Sequence, residues 1–204
     1  MFHALLAFLV IIASLFHTPT YPEVINRVQA SVVRVTGEMD VDTFFGPMHG
    51  SYTCTGEVIA LNRVLTAGHC IGERILADGV PIKGVLASDA YYDLALLDVS
   101  TQKPFLTFRD EPVQRFEKVS ALGYAFGFTQ ISVLDERVFL VNAIPPDSGN
   151  LPKILVQPGY IGGMSGGPVV DANGQMVGIV QQTGDNIGLG VGVLIIRAFL
   201  LVVP

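Results

Sequence analysis

Short apolar segments separated by turn residues run through most of this 204-residue chain, and they limit the folds that it can adopt. The segments are rich in Val, Ile, Leu and Tyr, which favours strands. Pairs such as Asp78-Gly79 and Asn173-Gly174 stand between them as turn signals, the second spaced as in a two-residue hairpin. We therefore expect an all-β sandwich or barrel, with strands at 32–36, 52–61, 80–88, 94–99, 119–124, 131–141, 154–157, 169–170, 176–181 and 190–195.

One stretch without this pattern divides the chain into two β halves. Residues 101–118 hold Pro104, Pro112 and mixed charges with no sustained period, so they are expected to form a connector. The first half covers about 23–100 and the second about 119–196. Helices are expected only at 22–30 and in the last eight residues, 197–204.

The N-terminal residues 1–22 form a hydrophobic leader that lacks Asp, Glu, Lys and Arg. Its apolar run, 4–16, matches the core of a signal peptide and is short of the ~20 residues needed to span a bilayer. No basic residue precedes the run and no clear A-x-A site follows it. A removable export signal, a retained membrane anchor and an ordinary buried helix all stay open. Either of the first two predicts a secreted, periplasmic or membrane-anchored protein.

Composition excludes two classes of protein. The chain is 50% hydrophobic and only 15% charged, which is incompatible with intrinsic disorder. Its formal net charge is −6, and its 12 Lys and Arg residues form no basic run. Nucleic acid is therefore not an expected partner.

Three short segments carry reactive side chains in the order His, Asp, Ser. They read Thr-Ala-Gly-His-Cys at 66–70, Asp-Leu-Ala-Leu-Leu at 93–97 and Gly-Gly-Met-Ser-Gly-Gly-Pro at 162–168. Each has an ordinary interpretation by itself: a structural histidine, a capping aspartate and a tight glycine turn. The three together are far more specific, because a serine nucleophile needs a base and the base needs an orienting acid.

These segments resemble the signature segments of trypsin-like (chymotrypsin-fold) serine proteases, over about residues 24–200. The short helix that leads into Ser-Val-Val-Arg-Val at 31–35 is more similar to high-temperature-requirement-type or viral branches than to digestive trypsins. The resemblance implies two six-stranded antiparallel Greek-key β-barrels with a short C-terminal helix. It also implies a polypeptide substrate, an active site between the barrels, no cofactor and no metal. A catalytically silent binding module on the same fold is the alternative.

The resemblance assigns roles to particular residues. His69 is the general base, since an imidazole titrates close to neutral pH. Asp93 orients the ring of His69, and Ser165 attacks the peptide carbonyl. The backbone N–H groups of Gly163 and Ser165 form the oxyanion hole. The rivals of His69 and Asp93 for the roles of base and acid, which are less suitable, are His3, His17, His49, Asp89 and Asp98.

The two cysteines stand 16 residues apart, and the second directly follows His69. The resemblance implies a disulfide between Cys54 and Cys70. Two alternatives stay open on the residues alone: a zinc site made with His49 and His69, and a pair of free buried thiols.

Departures from the digestive enzymes bear on activation and specificity. Met164 stands where those enzymes have the aspartate that pairs with a newly cut N-terminus, so no such zymogen switch is expected. Gly159 replaces the acid on the pocket floor of trypsins, which disfavours cleavage after Lys or Arg. Val180 replaces a histidine of glutamate-specific relatives, which leaves small, aliphatic or aromatic side chains. The remaining residues expected in the pocket are Tyr160, which narrows it, with Gln181, Gln182 and Thr183.

Overall fold

Two antiparallel β-sheets make up most of the structure, a computed structural model that describes residues 19–43, 46–144, 151–184 and 186–203. The expected leader lies outside the described residues as far as position 18. None of the helices in the described ranges has the length and apolar character needed to cross a bilayer.

The first sheet is a half-barrel with the strand order β5-β4-β1-β2-β3-β7-β6. The segment at 80–89 curls it, because its first part pairs with β4 at one edge and its second part pairs with β7 at the other. The expected strand at 80–88 is therefore two strands, separated at Ile82-Lys83. The seven strands are β1 (Val32–Thr43), β2 (Gly46–Ala60), β3 (Arg63–Ala67), β4 (Glu73–Ala77), β5 (Val80–Pro81), β6 (Gly84–Asp89) and β7 (Leu94–Asp98).

The second sheet closes into a six-stranded barrel with the order β10-β13-β12-β11-β8-β9. Alternating inward residues such as Val119, Ala121, Val138 and Val169 fill its interior. The prediction of an all-β fold made of two barrel-like units is thus confirmed, with one unit closed and the other a seven-stranded half-barrel. The strands are β8 (Lys118–Gly123), β9 (Ser132–Ala143), β10 (Lys153–Gln157), β11 (Pro168–Val170), β12 (Met176–Gly184) and β13 (Ile187–Gly192).

In the part of the chain that the structure describes, two α-helices pack against the sheets. Helix α1 (Tyr21–Gln29) begins at a capping box in which the Thr20 backbone N–H donates to Glu23, and it buries Val24, Ile25 and Val28. Helix α2 (Val193–Leu201) begins four residues before the expected position 197. The expected strand at 190–195 therefore ends at Gly192, and the β-branched residues that follow it are helical.

The two β units meet through a shared apolar layer. Leu65 and Leu94 come from the first sheet, Ile179 and Val191 from the second, and Ile196 from α2. All five of these side chains are buried. Burial of such a layer fixes the relative positions of the loops that follow β3, precede β7 and precede β11.

Candidate active site

Strand pairing brings His69 next to Asp93. Strands β3 and β7 are antiparallel neighbours, with Ala67 opposite Leu94. The residues just beyond this pair, Gly68-His69 on one strand and Asp93 on the other, therefore lie side by side. Adjacent strands thus set the distance between the expected base and the expected acid.

The carboxylate of Asp93 accepts two hydrogen bonds from His69. The backbone N–H of His69 donates to Oδ1 at 2.7 Å, and the ring Nδ1 lies 2.9 Å from Oδ2. Asp93 adopts a left-handed conformation with φ of 54°, which turns its side chain toward the histidine loop. Since Nδ1 is bonded to the acid, Nε2 is the ring nitrogen available to accept a proton.

The loop that carries Ser165 is tied to the first sheet through Thr55. The Thr55 backbone N–H donates to the Ser165 carbonyl at 2.8 Å, and its hydroxyl donates to the Gly163 carbonyl at 2.8 Å. The same hydroxyl accepts the backbone N–H of Tyr124 at 3.0 Å. Thr55 is not among the residues predicted above, and its position directly after Cys54 is the one signal in the sequence that marks it.

The Ser165 hydroxyl donates to the backbone carbonyl of Gln181 at 3.2 Å. Within the described residues it has no hydrogen bond to His69, so this conformation contains the acid–base link without the nucleophile–base link. Catalytic hydrogen bonds of this kind often form only when substrate is bound.

The turn at Gly162-Gly163 leaves two backbone N–H groups free of acceptors. The Gly162 carbonyl accepts the backbone N–H of Phe126 at 2.7 Å. In a trans peptide the N–H points opposite to the carbonyl, so the Gly163 N–H faces away from Phe126. Gly163 has φ of 93°, a conformation suited to glycine. Among the described residues, neither its N–H nor that of Ser165 donates to a protein acceptor.

The residues expected around a substrate pocket divide into several environments. Gly159 has no space for a side chain, because a Cβ there would lie 2.8 Å from the backbone of Ile187. The buried ring of Tyr160 packs against Gly188. Val180 is buried in the core of the second barrel, and Gln182 is exposed.

Gln181 and Thr183 are the other two residues expected in the pocket. Gln181 is 4% exposed, and its side-chain amide donates to the backbone carbonyls of Tyr92 and Asp93. The side chain of Thr183 lies outside the described parts of the structure.

The two cysteines form a disulfide with a Cα–Cα distance of 6.1 Å. The bond joins β2 to the short 3-10 turn that carries His69. The disulfide expected from the resemblance is therefore present, the alternative of free thiols is excluded, and the paired sulfurs cannot serve as the thiolate ligands of a zinc ion. Closing a loop of this length contributes about 3 kcal/mol to stability.

The rival histidine with a described side chain belongs to a separate charge cluster. His49 contacts Asp40 and Glu38 at 2.9 Å each on the β1–β2 hairpin. Its hydrogen bonds to Asp40 and then Glu38 raise its pKa above the ordinary value. Of the rival aspartates, Asp98 faces Lys83 and Asp89 caps the turn at Tyr91. Within the described ranges, none of these three residues has a hydrogen bond to Ser165.

A half-barrel and a closed barrel, with a histidine–aspartate pair and a glycine-flanked serine between them, define the class of chymotrypsin-like peptidase folds. A family model for the trypsin-like peptidase domain matches residues 54–179. The chain therefore belongs to the trypsin-like peptidase family. The matched range includes both cysteines and all three reactive segments.

Two curated relatives from Mycobacterium tuberculosis are named serine proteases, MT3772 in strain CDC 1551 / Oshkosh and Rv3671c in strain H37Rv. Each is 31% identical over 140 residues, which is 62% of this chain and 35% of the relative. The chain thus spans about a third of the length of these relatives.

Solved structures share the fold. The active form of the Rv3671c protease from M. tuberculosis superimposes with a TM-score of 0.74 at 24% identity, covering 88% of this chain and 83% of that one. The HtrA-type protease AlgW, solved with a decapeptide, gives a TM-score of 0.74 at 17% identity, covering 90% and 68%. At these identities the two structures show that the fold is shared.

Proposed function

We propose that this chain is a serine endopeptidase that hydrolyses peptide bonds through an acyl-enzyme. The observation that supports this most strongly is the pair of hydrogen bonds from His69 to Asp93 beside the loop of Ser165. A peptidase needs such a pair because a serine hydroxyl is a weak nucleophile until a base takes its proton. The known activity of the Rv3671c relative as a serine protease supports the same reaction class.

The reaction begins when Ser165 Oγ turns from the Gln181 carbonyl toward the substrate. His69 Nε2 takes the hydroxyl proton as Oγ attacks the peptide carbonyl carbon, and Asp93 stabilises the imidazolium that forms. His69 then gives the proton to the leaving amine, and an acyl-enzyme remains. A water molecule, deprotonated by His69, attacks this ester and releases Ser165.

In this proposal the backbone N–H groups of Gly163 and Ser165 hold the oxyanion. Both are free of protein acceptors among the described residues, and Phe126 keeps the Gly162 carbonyl turned away from them. Each such donor contributes about 3 kcal/mol to lowering the barrier. The decapeptide bound to AlgW supports a polypeptide as the substrate class.

The proposed oxyanion hole needs no newly cut N-terminus. Met164 is fully buried in the core of the second barrel, where an apolar side chain is stable without a charged partner. The turn is instead supported by hydrogen bonds from Thr55 and Phe126, both internal to the folded chain. The site therefore assembles on folding.

A fluorophosphonate probe tests the proposal, because it labels only an activated serine. The wild-type chain is expected to be labelled at Ser165, as shown by mass spectrometry of the labelled peptide. Ser165→Ala is expected to abolish the label while the circular dichroism spectrum is unchanged. An unlabelled but folded wild-type chain would contradict the proposal and favour the binding module.

The same labelling assay tests whether activation needs a particular N-terminus. It is applied to truncated forms of the protein whose first residue lies between 18 and 30. Forms that retain α1 are expected to react at equal rates, because no contact of the proposed hole depends on a terminal amine. A strict requirement for one starting residue would show that an N-terminal switch exists after all.

Specificity is proposed to favour small, aliphatic or aromatic side chains over Lys, Arg and Glu. Gly159 leaves no room for an acid on the pocket floor, since a Cβ would collide with the Ile187 backbone, and Tyr160 fills space beside Gly188. Cleavage of a mixed peptide library is therefore expected to show little turnover after basic or acidic residues. Mass spectrometry of the products checks this, and dominant cleavage after Lys or Arg would refute it.

The location is proposed to be outside the cytoplasm, with residues 1–22 as a leader or anchor and residues 23–204 as the peptidase domain. The Cys54–Cys70 disulfide supports this, since such bonds persist mainly in oxidising compartments. N-terminal sequencing of the mature protein distinguishes a removed leader from a retained anchor.

A further inference from the structure

Gln181 occupies an unusual position for a polar side chain. It is 4% exposed, and both ends of its amide are bonded. Nε2 donates to the carbonyl of Tyr92 at 2.7 Å and to that of Asp93 at 3.1 Å. Oε1 accepts from the ammonium group of Lys153. A buried amide is stable only when its donors and acceptor are satisfied in this way.

These contacts join the two β units at the turn that carries the proposed acid. Gln181 lies on β12 of the closed barrel, and Tyr92-Asp93 precede β7 of the half-barrel. The left-handed backbone at Asp93 is unfavourable for a residue other than glycine, so it persists only where surrounding contacts hold it. The Gln181 amide supplies donors to the two carbonyls of this turn.

Lys153 fixes which way the amide faces. Its ammonium group has only donors, so it requires the amide oxygen on its side and leaves Nε2 toward the two carbonyls. Burial lowers the pKa of Lys153, and the charge of Asp93 opposes that change. Lys153 lies on β10, so three separate segments meet at this amide.

The same residue also touches the proposed nucleophile. The backbone carbonyl of Gln181 accepts the Ser165 hydroxyl at 3.2 Å, while its side chain holds the Asp93 turn. The backbone and side chain of one residue therefore connect to the nucleophile and to the acid, which come from different β units.

We infer that Gln181 is a positioning residue, oriented by Lys153, that holds the Asp93 turn in register with Ser165, and that it is not a wall of the substrate pocket. This inference rests on the function proposed above. The side chain of Gln181 acts through the backbone carbonyls of Tyr92 and Asp93. The geometry of the His69–Asp93 pair therefore depends on it.

A structural measurement tests the inference without any turnover. Gln181→Met keeps a similar volume and removes both amide functions. The His69 Nδ1 proton, hydrogen-bonded to Asp93, is expected to give a low-field NMR signal in the wild-type chain that is lost or moved upfield in this variant. Gln102→Met, at an exposed position of the connector, is the matched control and is expected to keep the signal. An unchanged signal in folded Gln181→Met would overturn the inference, whether or not the chain hydrolyses peptides.

Kinetics supply the second readout. Gln181→Met is expected to lower kcat between about 10- and 100-fold, because a displacement of about 1 Å in a catalytic group has an effect of this size. KM is expected to stay within about twofold, since no contact to substrate is removed. Lys153→Met is expected to lower kcat in the same direction, and Lys153→Arg to restore most of it. A raised KM with unchanged kcat in Gln181→Met would make the residue part of the pocket and overturn the inference.

Discussion

Replacing His69 with alanine is expected to reduce kcat on a peptide substrate by about a millionfold, the effect found when the base of a serine triad is removed. The hydrogen bond between His69 and Asp93 explains the size of this loss. Nδ1 is bonded to Asp93 at 2.9 Å, so Nε2 is the one ring nitrogen that can take the Ser165 proton. Initial rates with a fluorogenic peptide measure the effect, and KM is expected to change little.

Asp93→Asn is expected to lower kcat by roughly 10⁴-fold. The amide presents a donor where the carboxylate accepts both the backbone N–H and the Nδ1–H of His69, so the ring loses its orientation and its tautomer. The effects of the two substitutions are expected to overlap, with the double variant no slower than His69→Ala, because the residues act as a unit.

His49→Ala provides the matched control for His69→Ala. His49 is bonded to Asp40 and Glu38 on the β1–β2 hairpin, and in the described part of the chain it has no hydrogen bond to Ser165. Its replacement is expected to leave kcat unchanged within about twofold. Equal losses in His49→Ala and His69→Ala, or full activity in His69→Ala, would contradict the assigned base.

The sequence contained enough to predict the double β architecture and to select the reactive residues. Short β-branched segments and turn pairs are local signals, and Asp78-Gly79 does form a turn in which both residues have positive φ. The neighbouring positions of His69 and Asp93 follow from strand pairing, which the family resemblance implied. The disulfide between Cys54 and Cys70 was implied in the same way and is present.

What could not be predicted depends on contacts between distant segments. The Gln181 amide bonds to residues 88 and 89 positions away in the chain, and nothing local distinguishes it from a polar residue lining a pocket. Thr55 could not be recognised from the sequence either, since its hydrogen bond to Gly163 forms only where the loop of Ser165 meets β2. The early start of α2 at Val193 also follows from packing, because β-branched residues accept either conformation when they are buried. The bend at Ile82-Lys83 arises because the strands on its two sides pair with opposite edges of the first sheet.

Two buried carboxyl groups are expected to make the stability of this protein fall as pH rises. Glu136 is 3% exposed and Glu57 is fully buried, one in each β unit. None of their carboxyl oxygens has a hydrogen-bond partner among the described residues. Burial raises the pKa of Glu136 to about 8 and that of Glu57 well above its ordinary value. Both are therefore protonated in the folded chain at acidic pH.

The direction of the effect follows from proton binding. In the unfolded chain a glutamate ionises near its ordinary pKa of 4.5, so between that value and about 8 the folded chain binds more protons. The free energy of unfolding consequently decreases as pH rises through this window. For Glu136 the total decrease is about 5 kcal/mol, which is a large share of the stability of a small domain.

Glu136→Gln is expected to be as stable as the wild-type chain near pH 5 and more stable by several kcal/mol near pH 8.5, because a neutral amide has no charge to bury. Urea denaturation at the two pH values measures the difference. Glu111→Gln, at an exposed position, serves as the control and is expected to keep the wild-type pH dependence. Glu57→Gln should act in the same direction and add to Glu136→Gln, since the two side chains lie in different β units. A Glu136→Gln variant that loses as much stability as the wild-type chain between pH 5 and 8.5 would show that Glu136 ionises in the folded chain as it does in water.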